Sequence, residues 1–76
     1  MAQIINTDGN TLDIELKSLE QMQEVVGGKI DFIQKDDFIM IVNQMPKKMS
    51  INKKASEILS KNVYGNTIIC KKNEIY

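Results

Sequence analysis

The sequence contains no histidine, no arginine and no tryptophan, and it has a single cysteine. Without histidine, the chain lacks the side chain that most often serves as general base, metal ligand or activator of a nucleophile. Without arginine, it lacks the planar fork that reads guanine and phosphate through paired hydrogen bonds. We therefore expect a protein that is not an enzyme, uses no cofactor or metal, and does not read specific DNA sequences.

The lone cysteine, Cys70, lies in an apolar run over residues 67–70, where a buried thiol is expected. A thiol without a disulfide partner is typical of a reducing compartment. The first residues lack the charged and long apolar segments of a signal peptide, and no apolar run approaches the roughly 18 residues that cross a bilayer. These absences predict a cytoplasmic protein with no membrane contact.

The chain has 76 residues, of which 42% are hydrophobic and 26% are charged. A domain of this size buries only about 60% of the surface that its unfolded chain exposes, so one small core is expected. Ten lysines balance ten acidic residues, and the net charge gives no attraction for nucleic acid or anionic lipid. We expect a single domain over residues 1–76 that gains stability by forming a homo-oligomer.

The first half of the chain predicts a β-hairpin followed by a helix. Asp8-Gly9 separates two strand-like runs, which indicates a hairpin with a tight type I′ turn. Ser18 begins a capping-box pattern, and Gly27-Gly28 is typical of a helix end. The apolar side chains expected to face the core are Leu12, Ile14 and Leu16 of the second strand and Leu19, Met22, Val25 and Val26 of the helix.

The second half predicts another hairpin, a short helix and a closing strand. The run Phe38 to Val42 is continuously apolar, which suits a strand buried on both faces or covered by a partner chain. Ser50 or Asn52 can cap the second helix, and its apolar residues Ile51, Ala55, Ile58 and Leu59 recur at helical spacing. The resulting order β-β-α-β-β-α-β predicts an α+β fold, for which a β-grasp, ubiquitin-like mixed sheet is the expected architecture.

Four lysines cluster around the predicted start of the second helix. The helix dipole disfavours cations at this end, and an anion bound there would relieve their repulsion. The pattern predicts a site for a phosphate, a carboxylate or an acidic protein surface, with a solvated lysine face as the alternative. The candidate residues are Lys47, Lys48, Lys53 and Lys54, with Asn43, Ser50 and Asn52 as further donors.

Met45 and Met49 flank the same loop, where they could form an adaptable apolar contact surface or fill gaps in the core. Tyr64 could stack on a ring or pack as an amphipathic side chain. These three residues are the candidates for contact with a partner.

Four blocks spread over the chain resemble a family of small domains of unknown function that occurs in phages, plasmids and other mobile elements of Firmicutes. In this sequence the blocks are Ser18-Leu19-Glu20 through Val26-Gly27-Gly28-x-Ile30, then Met40-Ile41-Val42-Asn43, then Asn52 with Ala55-Ser56, and Gly65-x-x-Ile68-Ile69-Cys70. Between Asn43 and Asn52, typical relatives carry a Gly- and Leu-bearing segment. This chain has Met-Pro-Lys-Lys-Met-Ser there, at the candidate site.

The resemblance implies a non-enzymatic accessory protein that takes part in host takeover or counter-defence inside the bacterial host cell. In one form of this hypothesis, the protein binds and inhibits a host or defence protein through direct contacts. In a second form, it is an oligomer that sequesters a small anionic signal such as a cyclic nucleotide in a pocket between subunits. A third alternative is a structural accessory protein without a ligand.

Overall fold

The computed structural model describes residues 2–35, 37–45 and 49–74, and these residues form five strands and two α-helices. The α+β class is therefore confirmed. In chain order the elements are β1 (Ala2–Ile5), β2 (Thr11–Ile14), α1 (Leu19–Val26), β3 (Ile30–Gln34), β4 (Phe38–Asn43), α2 (Lys53–Leu59) and β5 (Thr67–Lys71), with a short 3-10 helix over Lys72–Glu74.

The five strands form one sheet in the order β2-β1-β5-β4-β3, and all four neighbouring pairs are antiparallel. A mixed β-grasp sheet contains at least one parallel pair, so that expectation is not met. The reason lies in the connection through α2, which brings the chain back to the end of the sheet where β4 finishes. As a result β5 runs back along β4, with Ile41 opposite Ile68 and Phe38 opposite Lys71.

One helix packs on each face of the sheet. Strand residues alternate between the faces, so that Ile39 and Ile41 of β4 pack with α1, while Met40 and Val42 pack with α2. All four of these side chains are buried within a single copy of the chain. Of the two environments predicted for the apolar strand, burial on both faces is the one observed, and no partner chain is needed to cover it.

Helix α1 begins at the predicted cap and ends at the predicted glycine. The backbone N–H of Gln21 donates to Ser18 Oγ over 3.1 Å, and Gly27 has a left-handed φ of 84°. The second half of the capping box differs from the pattern. Instead of the Ser18 backbone, the Gln21 side chain binds the carbonyl of Glu15 and the N–H of Lys17.

The first hairpin is wider than the predicted type I′ turn. The N–H of Asn6 donates to the Asn10 carbonyl over 2.9 Å, and the N–H of Gly9 donates to the Asn6 carbonyl over 3.0 Å. Gly9 has a φ of 92°, so the loop is a three-residue turn that ends in a left-handed glycine. The carboxylate of Asp8 accepts from the N–H of Asn10 over 2.9 Å and stabilises the extra residue.

Four side chains that were expected in the core are exposed. Helix α1 has eight residues and packs mainly against β3, β4 and β5. On the outer strand β2, Ile14 packs against the cluster that contains Val26 of α1, whereas Leu12, nearer the hairpin turn, is 57% exposed. The other three such residues are Leu19, Ile51 and Ile58.

The buried hydroxyl of Thr67 is expected to destabilise the fold. Thr67 is fully buried, and its Oγ1 has no hydrogen-bond partner among the described residues. Replacing the hydroxyl by a methyl group in Thr67→Val removes the desolvation cost, so we expect the free energy of unfolding to rise by about 1 kcal/mol. Urea denaturation measures this change. Thr11→Val, the same substitution at an exposed strand position, should leave stability nearly unchanged, and a loss of stability in Thr67→Val would contradict the assignment.

Candidate functional site

Two of the four lysines in the predicted cluster lie within the described residues. Lys53 and Lys54 lie in the first turn of α2, where both are exposed and no acidic residue accompanies them. Lys47 and Lys48 lie outside the described residues. The start of α2 therefore carries two exposed lysines. The side chains of Asn43, Ser50 and Asn52 were predicted to donate further hydrogen bonds to an anion bound there.

Asn52 joins three parts of the backbone through its fully buried side chain. Its Nδ2 donates to the carbonyl of Ile5 over 2.8 Å and to the carbonyl of Gly65 over 3.0 Å. Its Oδ1 accepts from the N–H of Ala55 over 3.1 Å and so caps α2. Both amide hydrogens of Asn52 are therefore used inside the fold, which leaves this side chain without a donor for an anion.

Asn43 and Ser50 also take part in the fold. The buried Asn43 donates from Nδ2 to the Val26 carbonyl over 3.0 Å and accepts at Oδ1 from the N–H of Met45 over 2.8 Å. This pair of bonds ties the end of α1 to the end of β4. Ser50 is exposed, and its carbonyl accepts from the N–H of Gly65 over 2.8 Å. Of the three predicted polar donors, only the Ser50 side chain faces solvent.

The two methionines of the loop lie at one end of the sheet in different environments. Met45 is 61% exposed, whereas Met49 is half-buried and lies across two glycines. A Cβ atom on Gly27 would lie 3.1 Å from Met49 Cε, and one on Gly65 would lie 2.6 Å from Met49 Sδ. Only residues without a side chain leave room for Met49 to lie so close to the backbone.

Open cavities lie on both sides of the Met49 side chain. One, of about 360 Å³, extends from Gly27 and Met49 towards Thr7 and Asn66. The other, of about 300 Å³, includes the exposed Met45. We call the residues that line this second cavity the methionine surface: Gly27, Gly28, Lys29, Asn43, Met45 and Met49.

The predicted contact residue Tyr64 lines a different cavity from Met45 and Met49. Tyr64 is half-buried and forms an isolated β-bridge with Ile51. Its cavity, of about 180 Å³, lies beside β3 and also contains Ile33 and Lys61. Asn43 lines both this cavity and the methionine surface, so the two are adjacent, although neither cavity brings Tyr64 together with the methionines.

A further cavity, of about 400 Å³, lies at the opposite end of the sheet and was missed by sequence reasoning. Its lining includes Phe38 and Ile69, whose side chains lie on the face that carries α2. Helix α2 has only seven residues and leaves this end of the face open. The sequence contains one indication of this cavity. The apolar run of β4 begins at Phe38, which comes before the part of the strand that α2 covers.

Across residues 2–35, 37–45 and 49–74, no three side chains of the types His, Cys, Asp or Glu come together in a group that could hold a metal ion. No helix among them is long and apolar enough to cross a membrane.

The comparisons with known proteins give one match. A family model described as "Domain of unknown function (DUF3846)" matches residues 2–75. No curated protein and no solved structure matches the chain.

The role assigned to Asn52 can be tested by Asn52→Asp. The aspartate keeps an acceptor for the N–H of Ala55 but cannot donate to the carbonyls of Ile5 and Gly65. It also places a carboxylate in a buried site, so we expect the free energy of unfolding to fall by about 3 kcal/mol at neutral pH. Chemical denaturation measures the loss. Asn62→Asp, the same change at an exposed position, should have little effect, and equal effects of the two variants would contradict a structural role for Asn52.

Proposed function

We propose that this chain, which belongs to the DUF3846 family of domains of unknown function, is a non-enzymatic protein that binds and inhibits a protein partner. The partner is a host or defence protein of the bacterial cell that carries the phage or mobile element. The resemblance of the sequence to domains from phages and mobile elements supports this setting. The observation that carries the proposal is the exposed Met45 on the methionine surface.

Among the described residues, Met45 is the most exposed of the large hydrophobic side chains. Gap filling accounts for Met49, which lies against Gly27 and Gly65. Met45 follows immediately after the end of β4 and leaves 61% of its surface in water. Methionine is flexible and polarisable, and it is common at surfaces that adapt to protein partners. A partner that covers Met45 would remove this apolar area from water.

The charge around the methionine surface favours an acidic partner. Lys29 is exposed and lines the same cavity as Met45. Lys47 and Lys48 lie between Met45 and Met49 in the sequence. Lysines at the rim of an apolar patch increase the rate of encounter with an acidic surface and set its orientation. We therefore infer a partner with an apolar contact residue surrounded by carboxylates.

Sequestration of an anionic nucleotide has less support. That alternative needs donors that converge on a phosphate, and the amides of Asn43 and Asn52 are bound to the chain's own backbone. A structural accessory protein without a ligand gives no role to the exposed Met45 and the cavity that it lines. Protein binding is therefore the function that the geometry favours.

The proposal predicts that Met45→Glu abolishes partner capture. The substitution places a charge in the centre of the apolar contact and adds repulsion against an acidic partner. The tagged protein is used to capture its partner in the bacterial host, and mass spectrometry identifies the partner. A binding assay with the purified partner then measures the effect of the substitution. Leu12→Glu is the matched control, because Leu12 is 57% exposed on a different part of the molecule. This control should retain the partner.

Two results would overturn the proposal. The first is a partner that Met45→Glu binds as tightly as the unaltered protein does. The second is a nucleotide-sized mass retained by the unaltered protein in native mass spectrometry, with no protein captured. The second result would support the sequestration alternative.

A further inference from the structure

Strand β3 forms one edge of the sheet, and one side of its backbone faces away from β4. The N–H of Gln44 donates to the Lys29 carbonyl over 2.8 Å, and the N–H of Lys35 donates to the Phe38 carbonyl over 2.9 Å. Backbone direction alternates along an antiparallel strand. The odd positions from Lys29 to Lys35 therefore direct their backbone groups towards β4. Ile30, Phe32 and Gln34 direct theirs towards the outside.

The charges along this edge are self-complementary. On the odd positions, Asp31 precedes Ile33 by two residues and Lys35 follows it by two. If a second β3 lies antiparallel with Ile33 opposite Ile33, then Asp31 of each copy faces Lys35 of the other. Opposite charges directly across a strand pair stabilise it, and like charges destabilise it.

We propose that two copies of this chain associate through β3, in antiparallel register centred on Ile33, to form a continuous ten-stranded sheet. The pairing is isologous, because the same edge serves both copies and closes the assembly at two. It concerns a different surface from the exposed Met45 and does not depend on the proposed function.

Neighbouring registers are less favourable. Hydrogen bonding between the two strands requires the outward-facing backbone groups, which belong to the even-numbered residues, to lie opposite one another. The register can therefore shift only in steps that keep even-numbered residues opposite even-numbered residues. Centring the pair on Asp31 puts two carboxylates face to face. Centring it on Phe32 puts Lys29 opposite Lys35. Centring it on Gln34 puts Lys35 opposite Ile33 and leaves Asp31 without a lysine across the strand pair. Of these registers, only the one centred on Ile33 places both Asp31 and Lys35 opposite a residue of the opposite charge.

The proposed register also suits the backbone and the apolar residues. Phe32 of one copy lies opposite Gln34 of the other, and both positions direct N–H and carbonyl groups outward. In the single chain, the Phe32 N–H donates to Asp31 Oδ1 over 2.9 Å. On pairing, that N–H turns to the backbone of the second copy, and the Asp31 carboxylate becomes available for Lys35 of the second copy. Ile33, which is half-buried, contacts its equivalent at the centre.

The other edge of the sheet is less suited to self-association. Strand β2 has four residues, and the carbonyl of Glu15 just beyond it accepts from Gln21 Nε2 over 2.9 Å. The side chain of Gln21 thus occupies part of that edge. A contact between β2 of one copy and β3 of another would also leave an edge open at each end and would lead to chains of molecules rather than a dimer.

Charge reversal tests the register directly. Asp31→Lys places the new ammonium group opposite Lys35 at both ends of the pair, and Lys35→Asp places the new carboxylate opposite Asp31. We expect each single variant to weaken the dimer by about tenfold or more, because two attractive pairs become two repulsive ones. When the two variants are mixed, a lysine again faces an aspartate at both ends of the mixed dimer, and association should return. Sedimentation velocity over a series of concentrations measures all three samples.

The controls separate association from folding. Asp13→Lys and Lys17→Asp make the same charge changes at exposed positions in and next to the other edge strand and should dimerise like the unaltered protein. Circular dichroism and thermal unfolding check that every variant is folded. The proposal is overturned if the unaltered protein stays monomeric at all concentrations. Single variants that dimerise normally, or a mixture that fails to associate, would overturn it as well.

Discussion

The buried amide of Asn52 determines how the chain returns from β4 to β5, and the order of the sheet depends on that return. The side chain holds the end of β1 through Ile5 and the approach to β5 through Gly65, while it caps α2. The Asn52 backbone N–H also donates to the Val63 carbonyl over 2.7 Å. Ser56 Oγ links Asn52 to Val63 a second time by donating to the Asn52 carbonyl and accepting from the Val63 N–H. A seven-residue helix is unstable on its own, so these bonds and the burial of Ala55 are what keep α2 in place.

The ends of α1 depend on neighbouring residues and were predictable from the sequence, whereas the type of the first turn was not. The hydroxyl of Ser18 and the φ of Gly27 set the ends of α1 within the helix itself. The direction of β5 relative to β1 was not predictable in this way, because residues more than 60 positions apart form that pair. The order of elements permits both a mixed and an antiparallel sheet. The contacts of Asn52, which join three separate segments, select the antiparallel one.

The roles of the side chains at the candidate site also depend on contacts between residues that are distant in sequence, so they could not be predicted. An asparagine that binds an anion and one that binds backbone carbonyls have the same neighbours in sequence. The capping position of Asn52 was the one local sign of its structural role. For the two methionines, the difference comes from Gly27 and Gly65, which lie far from the loop in sequence and create the space that Met49 fills. No glycine contact of this kind holds Met45, and only the folded chain separates the two residues.

The proposed strand pairing and the proposed binding surface are geometrically compatible. The methionine surface lies at the end of the sheet where β4 finishes and β3 begins. Antiparallel pairing of two β3 strands turns one copy end for end, so the two methionine surfaces would lie at opposite ends of the joined sheet. Each copy could then bind its own partner, which differs from a ligand shared in a pocket between subunits. Lys29, which lines the methionine surface, directly precedes β3, so the two surfaces are neighbours in the chain.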